Sequence, residues 1–371
     1  MKKKIQFDLP LLVVALLLTG LGILAIFSAS APYGYIGKGA THKWAINQVR
    51  WFLIGLAFLF LASRINYHFY QKIDKAVIFC VFLFLILVFV PGMARQIRGV
   101  HRWITFGNFR IQPSELAKIG MVIYLSSSLV RKKDKIDSFI QGFLPYFIIL
   151  SFVFFLVMIE PDLGSALIIV ATGFVVLYAG GARISHILYV ICLGLVPLYF
   201  SIFEIGYRKN RIIAFLNPES DPLGIGFQPL HLKMSLGSGG FWGLGPGQGK
   251  QKLFYLPTPH TDSIFAVIGE EFGFLGTSFI LFMFVIFTIR GLKIAMGAKD
   301  DLGKLLAVGL TCLISGQALI NMGVATVILP TTGSTLPFIS YGGSSLLVSL
   351  IAVGILLNIS RHNSKIKQDN A

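Results

Sequence analysis

The sequence predicts an all-α, polytopic membrane protein that forms a single domain over residues 1–371. The chain is 55% hydrophobic and only 13% charged, which leaves too little polar surface to cover a soluble globule of this size. Its apolar runs reach the roughly 20 residues that a helix needs to cross a bilayer. These runs are continuously apolar and do not alternate every second residue, which excludes a membrane β-barrel.

Ten apolar runs are predicted to be transmembrane helices. They cover residues 9–29, 46–63, 74–92, 114–130, 139–159, 163–181, 186–205, 262–290, 303–328 and 336–360. One large loop, at about 207–261, separates the seventh helix from the eighth. Because binding and catalytic residues are concentrated on loops, we look there first for a substrate site.

The lysine and arginine positions predict the orientation, since short cytoplasmic loops carry the positive excess. With the N-terminus inside, the inner segments hold more of these residues than the short outer loops. We therefore expect both termini to be cytoplasmic and the loop at 207–261 to be extracytoplasmic. The net charge of +16 is spread over loops without a nucleic-acid-binding motif. Membrane lipids, and not nucleic acid, are the expected partners of the inner cations.

The outer loop before the fourth helix concentrates positive charge on the side where the positive-inside tendency disfavours it. It contains Arg95, Arg98, His101, Arg102 and Arg110. Arginine binds phosphate in a bidentate geometry, so these residues would suit a phosphate or pyrophosphate. A solvated loop that touches lipid head groups is an equally open interpretation.

The fourth helix is predicted to begin at Pro113, because proline and serine favour a helix N-terminus. Glu115 and Lys118 are three residues apart and therefore share one helix face. We expect an ion pair that allows both charges to lie near lipid. The same pair could also hold Lys118 towards a site.

Pro161 breaks the chain between the fifth and sixth helices, with Glu160 and Asp162 on either side. Asp162 is either the N-cap of the sixth helix or part of the lining of a polar cavity. Irregular backbone at membrane depth is tolerated only where it is buried in protein or lines such a cavity. The two carboxylates favour a polar cavity.

The large loop contains the cations Arg208, Lys209 and Arg211 and a glycine-rich run at 237–250. Closely spaced glycines let the backbone approach a ligand or fold back along the membrane. Asp262 closes this polar loop directly before an apolar helix. It either caps that helix or acts on a substrate with a polar head group and a lipid tail.

The last outer turn, at 329–345, is uncharged and rich in small hydroxyl residues. We interpret it as a tight, hydrogen-bonded re-entrant segment.

Together these strings resemble the SEDS family of bacterial cell-wall polymerases (shape, elongation, division and sporulation). The matching strings are PSELAK at 113–118, EPDLG at 160–164, FLNPESDPLG at 215–224, GSGG with GLGPGQGKQK at 237–252, HTDSIFAVIGEE at 260–271 and LPTTGSTLPFISYGGSS at 329–345. The last two strings are closer to the division-type branch, FtsW, than to the elongation-type branch, RodA. The resemblance runs from the first predicted helix to the tenth.

The resemblance implies an inverting peptidoglycan glycosyltransferase in the bacterial cytoplasmic membrane, with its active site on the extracytoplasmic face. Its substrate would be lipid II, the disaccharide-pentapeptide carried on undecaprenyl pyrophosphate. The implied protein partners are a class B penicillin-binding protein and cell-division proteins. An elongation-type polymerase is the alternative within the family.

The resemblance places the essential loop aspartate at Asp262 and the polar residues at helix starts at Glu115, Lys118 and Asp162. We expect Asp262 to be the general base. Lys118, with Arg102 and Arg211, would stabilise the departing pyrophosphate. A divalent cation such as Mg²⁺ is a second source of positive charge, for which the sequence assigns no ligands.

Two functions from other classes remain open. A transporter that flips the lipid-linked precursor would use similar broken helices and cations. A passive scaffold for division proteins would need no catalytic residue.

Overall fold

The computed structural model describes residues 7–369 apart from 36–41, 91–93, 98–99, 107–108, 205 and 254. The described chain is mostly helical. Its helices are α1 (Leu9–Tyr35), α2 (Lys43–Arg64), α3 (His68–Leu87), α4 (Pro113–Arg131), α5 (Leu144–Ile159), α6 (Leu163–Ala179), α7 (Ile184–Phe203), α8 (Gly206–Leu216), α9 (Phe227–Gly239), α10 (Ile264–Met296), α11 (Asp301–Ala325) and α12 (Gly343–Asp369). Its strands are β1 (Ala94–Ile97), β2 (Val100–Phe106) and β3 (Phe109–Ile111).

Each of the ten predicted segments overlaps a helix, namely α1 to α7 and α10 to α12. Six helical segments of the described chain are long and apolar enough to cross a membrane. They are Leu9–Ala31, Lys43–Arg64, Phe139–Ile159, Ile264–Met296, Asp301–Ala325 and Gly343–Asn363. Ten spans therefore remain a prediction. The start predicted for the last helix, at residue 336, was wrong, because α12 begins only at Gly343.

The segment predicted only as a loop before the fourth helix contains a small antiparallel sheet in the order β1-β2-β3. Ile104 of β2 pairs with Ala94 on one side and Ile111 on the other. The β2 sequence is rich in β-branched and aromatic residues, which favour strands. The sheet carries Arg102 and leads directly into α4.

The helices enclose two hydrophobic cores. The larger core is formed mainly by α1, α10, α11 and α12, and the smaller one by α4, α5 and α6 with the end of α3. Helix α11 packs against α10, α6 and α4. It therefore lies between the two cores, and its polar side chains Thr311, Ser315, Gln317 and Asn321 are buried.

Helix α10 is broken at Gly273, whose φ of 64° and ψ of −159° are not helical. The glycine-rich run of the large loop packs at this break. The Leu244 amide donates to the Glu270 carbonyl at 3.0 Å, and the Phe274 amide donates to the Gly240 carbonyl at 2.9 Å. The glycine-rich run thus approaches the backbone of α10 closely, and this partner is neither the ligand nor the membrane surface that the sequence predicted.

Two buried glutamates next to the break hold the same loop in place. Glu270 accepts the Lys250 amide at 2.7 Å. Glu271 accepts the Lys252 ammonium at 2.6 Å and the Ser28 hydroxyl of α1 at 2.6 Å. These charges are satisfied by the loop and by α1, so we assign them a structural role.

The opposite end of the bundle is closed by an ion pair between Asp8, before α1, and Arg290 of α10. The Arg290 Nη2 atom donates to Asp8 Oδ2 at 2.6 Å. The Asp8 amide donates to the Ser360 hydroxyl of α12 at 3.0 Å. These contacts hold α1, α10 and α12 together at the end of the bundle opposite Asp262.

We predict that Gly243→Ala is more destabilising than Gly247→Ala. Both residues have left-handed backbones, with φ of 85° and 80°. Either alanine therefore carries about 1–2 kcal/mol of conformational strain. At Gly243 alone, a Cβ would lie 2.2 Å from the Glu271 carbonyl oxygen, whereas nothing lies within 4 Å at Gly247. Overpacking of this kind adds about 1–3 kcal/mol. Equal melting temperatures of the two variants in the same detergent would contradict the proposed packing.

Candidate active site

Asp262 lies directly before α10 and is partly exposed. Its Oδ1 atom accepts hydrogen bonds from the Thr258 and Thr261 hydroxyls, each at 2.8 Å. The alternative that Asp262 caps this helix is wrong, because Ser263 occupies the N-cap position and makes no side-chain cap hydrogen bond. Neither hydrogen bond from these two threonines reaches Oδ2, so this oxygen can accept a proton.

Thr258 holds the carboxylate from a strained position. Its φ is 48°, which a β-branched residue rarely adopts. Such a conformation costs about 1–3 kcal/mol and persists only when the surroundings impose it. Strained residues of this kind are concentrated at functional sites, and this one donates directly to Asp262.

The non-helical segment 329–342, which we call the re-entrant segment, lies against Asp262. The Ser340 hydroxyl donates to the Thr261 carbonyl at 2.6 Å, and the Tyr341 amide donates to the His260 carbonyl at 2.8 Å. Gln48 of α2 bonds the same segment, donating to the Ser340 carbonyl at 3.1 Å. The hydrogen bonding expected for this turn is present in the structure.

Glu115 and Lys118 form the ion pair that their spacing predicted. Lys118 Nζ lies 2.8 Å from Glu115 Oε1, and the side chains are 2% and 6% exposed. The ammonium also donates to Gln317 Oε1 of α11 at 2.9 Å. Lys118 is therefore held between α4 and α11, close to the re-entrant segment.

Asp162 is the N-cap of α6, and its Oδ1 accepts the Ser165 amide at 3.2 Å. The capping interpretation is confirmed. Its Oδ2 accepts from the Gln112 amide group at 3.0 Å and from the Ser114 hydroxyl at 3.3 Å. Both oxygens are thus occupied, and Asp162 organises the junction between β3, α4 and α6.

The two arginines predicted to bind pyrophosphate lie at the same end of the bundle. Arg102 donates through Nε to the Glu160 carbonyl at 2.7 Å and through Nη2 to the Pro161 carbonyl. Arg211 donates to the Thr331 carbonyl of the re-entrant segment at 3.0 Å. These bonds fix the position of each guanidinium group. Arg98 and the side chains of Arg95 and His101 lie outside what the structure describes.

Sequence reasoning missed the amide side chains of the site. Gln317 and Asn321 lie in an apolar predicted span, where polar residues face the bundle interior and hydrogen-bond between helices. That signal was present in the sequence. Gln48 and Gln112 carried no such signal, because their partners are distant in the chain.

The described residues do not form a ready-made metal centre. They contain no group of three or more His, Cys, Asp and Glu side chains that could hold a metal ion. The groups bonded to the Asp262 carboxylate are hydroxyls, not further carboxylates.

Comparison with known proteins identifies the family. The family model of FtsW, RodA and SpoVE, described as cell cycle proteins, matches residues 8–365. The chain belongs to this family. It is 41% identical over 355 residues to a probable peptidoglycan glycosyltransferase FtsW of Geobacter metallireducens, covering 96% of this chain and 95% of the relative. It is 40% identical over 361 residues to stage V sporulation protein E of Bacillus subtilis, covering 97% and 99%.

Solved structures of the FtsW/RodA/SpoVE family share the fold. A chain from a study of polymerisation and crosslinking by a peptidoglycan synthase complex superposes with a TM-score of 0.79 at 27% identity. The match covers 96% of this chain and 98% of that chain. A mutant of the rod shape determining protein RodA from Thermus thermophilus gives a TM-score of 0.71 at 25% identity, with coverage of 96% and 98%. The family and the apolar helices together make this chain a multi-pass inner-membrane protein.

We predict that Lys118→Met destabilises the protein by about 3–5 kcal/mol, because it leaves Glu115 as an uncompensated buried charge. The double variant Glu115→Gln/Lys118→Met removes both charges and should recover most of the lost stability. Thermal melting of the two variants in one detergent tests this expectation. A double variant no more stable than the single one would show that the ion pair is not the cause.

Proposed function

We propose that this protein polymerises lipid II into β-1,4 glycan strands on the outer face of the cytoplasmic membrane, with Asp262 as the general base. The observation that carries the proposal is the Asp262 carboxylate. It is partly exposed and is oriented by two hydroxyl groups on one oxygen. A base held in this way can receive a proton from a sugar hydroxyl on its other oxygen.

The comparisons support the reaction class. Several relatives about 40% identical over nearly the whole chain are named peptidoglycan glycosyltransferase. One structural neighbour comes from a peptidoglycan synthase complex. Lipid II is therefore the proposed substrate of this chain.

The proposed reaction is a single in-line displacement. The 4-hydroxyl oxygen of the acceptor GlcNAc attacks the anomeric carbon of the donor, and the bond between that carbon and the pyrophosphate oxygen breaks. Asp262 takes the hydroxyl proton, and the bonding electrons leave with the lipid pyrophosphate. One displacement converts the α-linked donor into a β-linked product, so no covalent sugar–enzyme intermediate is required.

The leaving pyrophosphate needs positive charge in the transition state. Lys118 is proposed to provide it, because its ammonium is fixed by two hydrogen bonds in a water-excluded position. Electrostatic interactions are stronger in such surroundings than in water. Arg102 and Arg211 are proposed to contribute through the positive charge of their guanidinium groups.

We propose that both termini are cytoplasmic and that Asp262 lies at the extracytoplasmic end. The excess of lysine and arginine in the short loops of the opposite side supports this orientation. The structure supports it indirectly, because Asp8 and Ser360 meet at the end of the bundle away from Asp262.

The role in the cell is proposed to be septal synthesis, or the related synthesis during sporulation. Identity of 40–42% to relatives named FtsW and to stage V sporulation protein E supports this choice over elongation. A class B penicillin-binding protein is the proposed crosslinking partner, together with cell-division proteins. The synthase complex among the structural neighbours supports that pairing.

We predict that Asp262→Asn lowers the rate of glycan formation by about 10²–10⁴-fold, the usual contribution of a general base. The amide is isosteric but cannot take the proton, so the melting temperature should be unchanged. Full-length protein in lipid vesicles, alone and with its penicillin-binding partner, is incubated with fluorescent lipid II, and glycan ladders are resolved on gels. Glu204→Gln, at an exposed carboxylate that follows α7, is the control and should leave the ladders intact.

The same assay separates the enzyme from a transporter. Ladders that persist in Asp262→Asn would remove this residue from the mechanism. Movement of fluorescent lipid II between leaflets without any ladder, in wild-type protein with its partner, would favour the transporter instead.

We predict that Thr258→Val lowers the turnover number by about tenfold or more. The valine keeps the shape of the side chain but removes one hydrogen bond to the Asp262 carboxylate. Hydrogen bonds to charged groups contribute about 1.5–3 kcal/mol, and 1.4 kcal/mol corresponds to a factor of ten. Thr258→Ser keeps the hydroxyl and should retain most of the activity. Equal activity of the two variants would show that the hydroxyl does not orient the base.

A further inference from the structure

Two amide side chains of α11 stand one turn apart on the same helix face. Gln317 is 4% exposed and Asn321 is 0% exposed. Residues four apart lie on one face, separated by about 6 Å along the axis. Gln317 contacts Lys118, and Asn321 contacts the main chain of Asp262.

Gln317 connects Lys118 to the re-entrant segment. Its Oε1 accepts from Lys118 Nζ at 2.9 Å, and its Nε2 donates to the carbonyl and hydroxyl oxygens of Thr335, both at 3.0 Å. An ammonium can only donate and a carbonyl can only accept, so the amide has one possible orientation. The Thr335 hydroxyl is itself bonded to Ser345 of α12 at 2.9 Å. The Lys118 ammonium is therefore held directly by Glu115 and Gln317, and Gln317 is held in turn by the re-entrant segment.

Asn321 connects the segment that carries Asp262 to the re-entrant segment. Its Nδ2 donates to the Asp262 carbonyl at 3.0 Å and to the Ser334 carbonyl at 2.7 Å. A flipped amide would set its oxygen against both carbonyls, so this orientation is also fixed. Asn321 thus joins the main chain of Asp262 to Ser334, the residue of the re-entrant segment that precedes Thr335.

We propose that Gln317 and Asn321 are positioning residues for glycosyl transfer, which hold the Lys118 ammonium and the Asp262 main chain at a fixed separation. This inference rests on the proposed polymerase function. Neither amide touches the reacting atoms. Each acts through a residue that does, and α11 sets the spacing because both belong to one rigid helix.

The physical reason is the steep dependence of catalysis on geometry. A displacement of 1 Å can lower a rate by about 100-fold. An in-line reaction needs the base and the cation that stabilises the leaving group to be correctly placed at the same time. Hydrogen bonds from two residues of one rigid helix fix the separation of Lys118 and Asp262 more tightly than bonds from two independent loops would.

The experiment tests whether Gln317 acts through Lys118. Gln317→Met, which keeps the length of the side chain without its polar atoms, is made in wild-type protein and in Glu115→Gln/Lys118→Met. Initial rates are measured in vesicles over a range of fluorescent lipid II concentrations, so that the turnover number and KM are obtained separately. We expect a fall of at least about tenfold in the wild-type background, with KM for lipid II changed less than about twofold, because misplacement affects the transition state most. In the background without Lys118 we expect less than a twofold further effect.

Thr311→Val is the matched control. Thr311 lies on α11, is fully buried, and its hydroxyl has no hydrogen-bond partner among the described residues. Its substitution should leave the rate within about twofold. Asn321→Leu should lower the rate at least about tenfold in both backgrounds, because it acts through Asp262 and not through Lys118.

A fall of equal size in both backgrounds would overturn the inference for Gln317, since its effect would then be general packing. Wild-type turnover in Gln317→Met would overturn it as well. Should Gln317→Met not fold, Thr335→Val is compared in the same two backgrounds. It removes one acceptor of the same amide and should lower the rate at least about twofold only where Lys118 is present. Absence of glycan in wild-type protein would instead contradict the proposed function.

Discussion

The structure depends on the hydrogen bonds that satisfy the re-entrant segment 329–342. This backbone is not helical, yet it lies among buried helices, where each unpaired polar group costs several kcal/mol. Its carbonyls and hydroxyls accept from α2, α8 and α11, and it donates to the residues before α10. Elements far apart in sequence are therefore held against one segment. The position of Asp262 follows from that requirement.

Most buried charges of the bundle are already compensated, which limits the catalytic choices. Glu270 and Glu271 are satisfied by the large loop and α1, Asp162 by a helix N-terminus and two side chains, and Glu115 by Lys118. A carboxylate that is buried and compensated in this way is a poor proton acceptor. Asp262 combines partial exposure with hydrogen bonds on one oxygen. It is thus distinguished by its surroundings and not by its residue type.

The apolar runs predicted the helices because a spanning segment must be continuously apolar, and local spacing predicted the Glu115–Lys118 pair and the Asp162 cap. Contacts across long sequence separations were not predictable in this way. Lys118 and Gln317 are 199 residues apart, and only the packing of α4 against α11 brings them together. The sheet that carries Arg102 was missed for a related reason, since short strands have weak local signals and depend on their partners.

The start of α10 lacks a stabilising side-chain cap, and the proposed role of Asp262 as a base accounts for this. Asp262 stands next to the N-cap position, where an aspartate that bonded the helix amides would contribute about 1 kcal/mol. Ser263 occupies the cap without a side-chain hydrogen bond, so that contribution is absent. A capping carboxylate would be held by the helix amides and not by Thr258 and Thr261. Asp262 instead lies just before this N-cap, and the Thr258 and Thr261 hydroxyls bond its carboxylate.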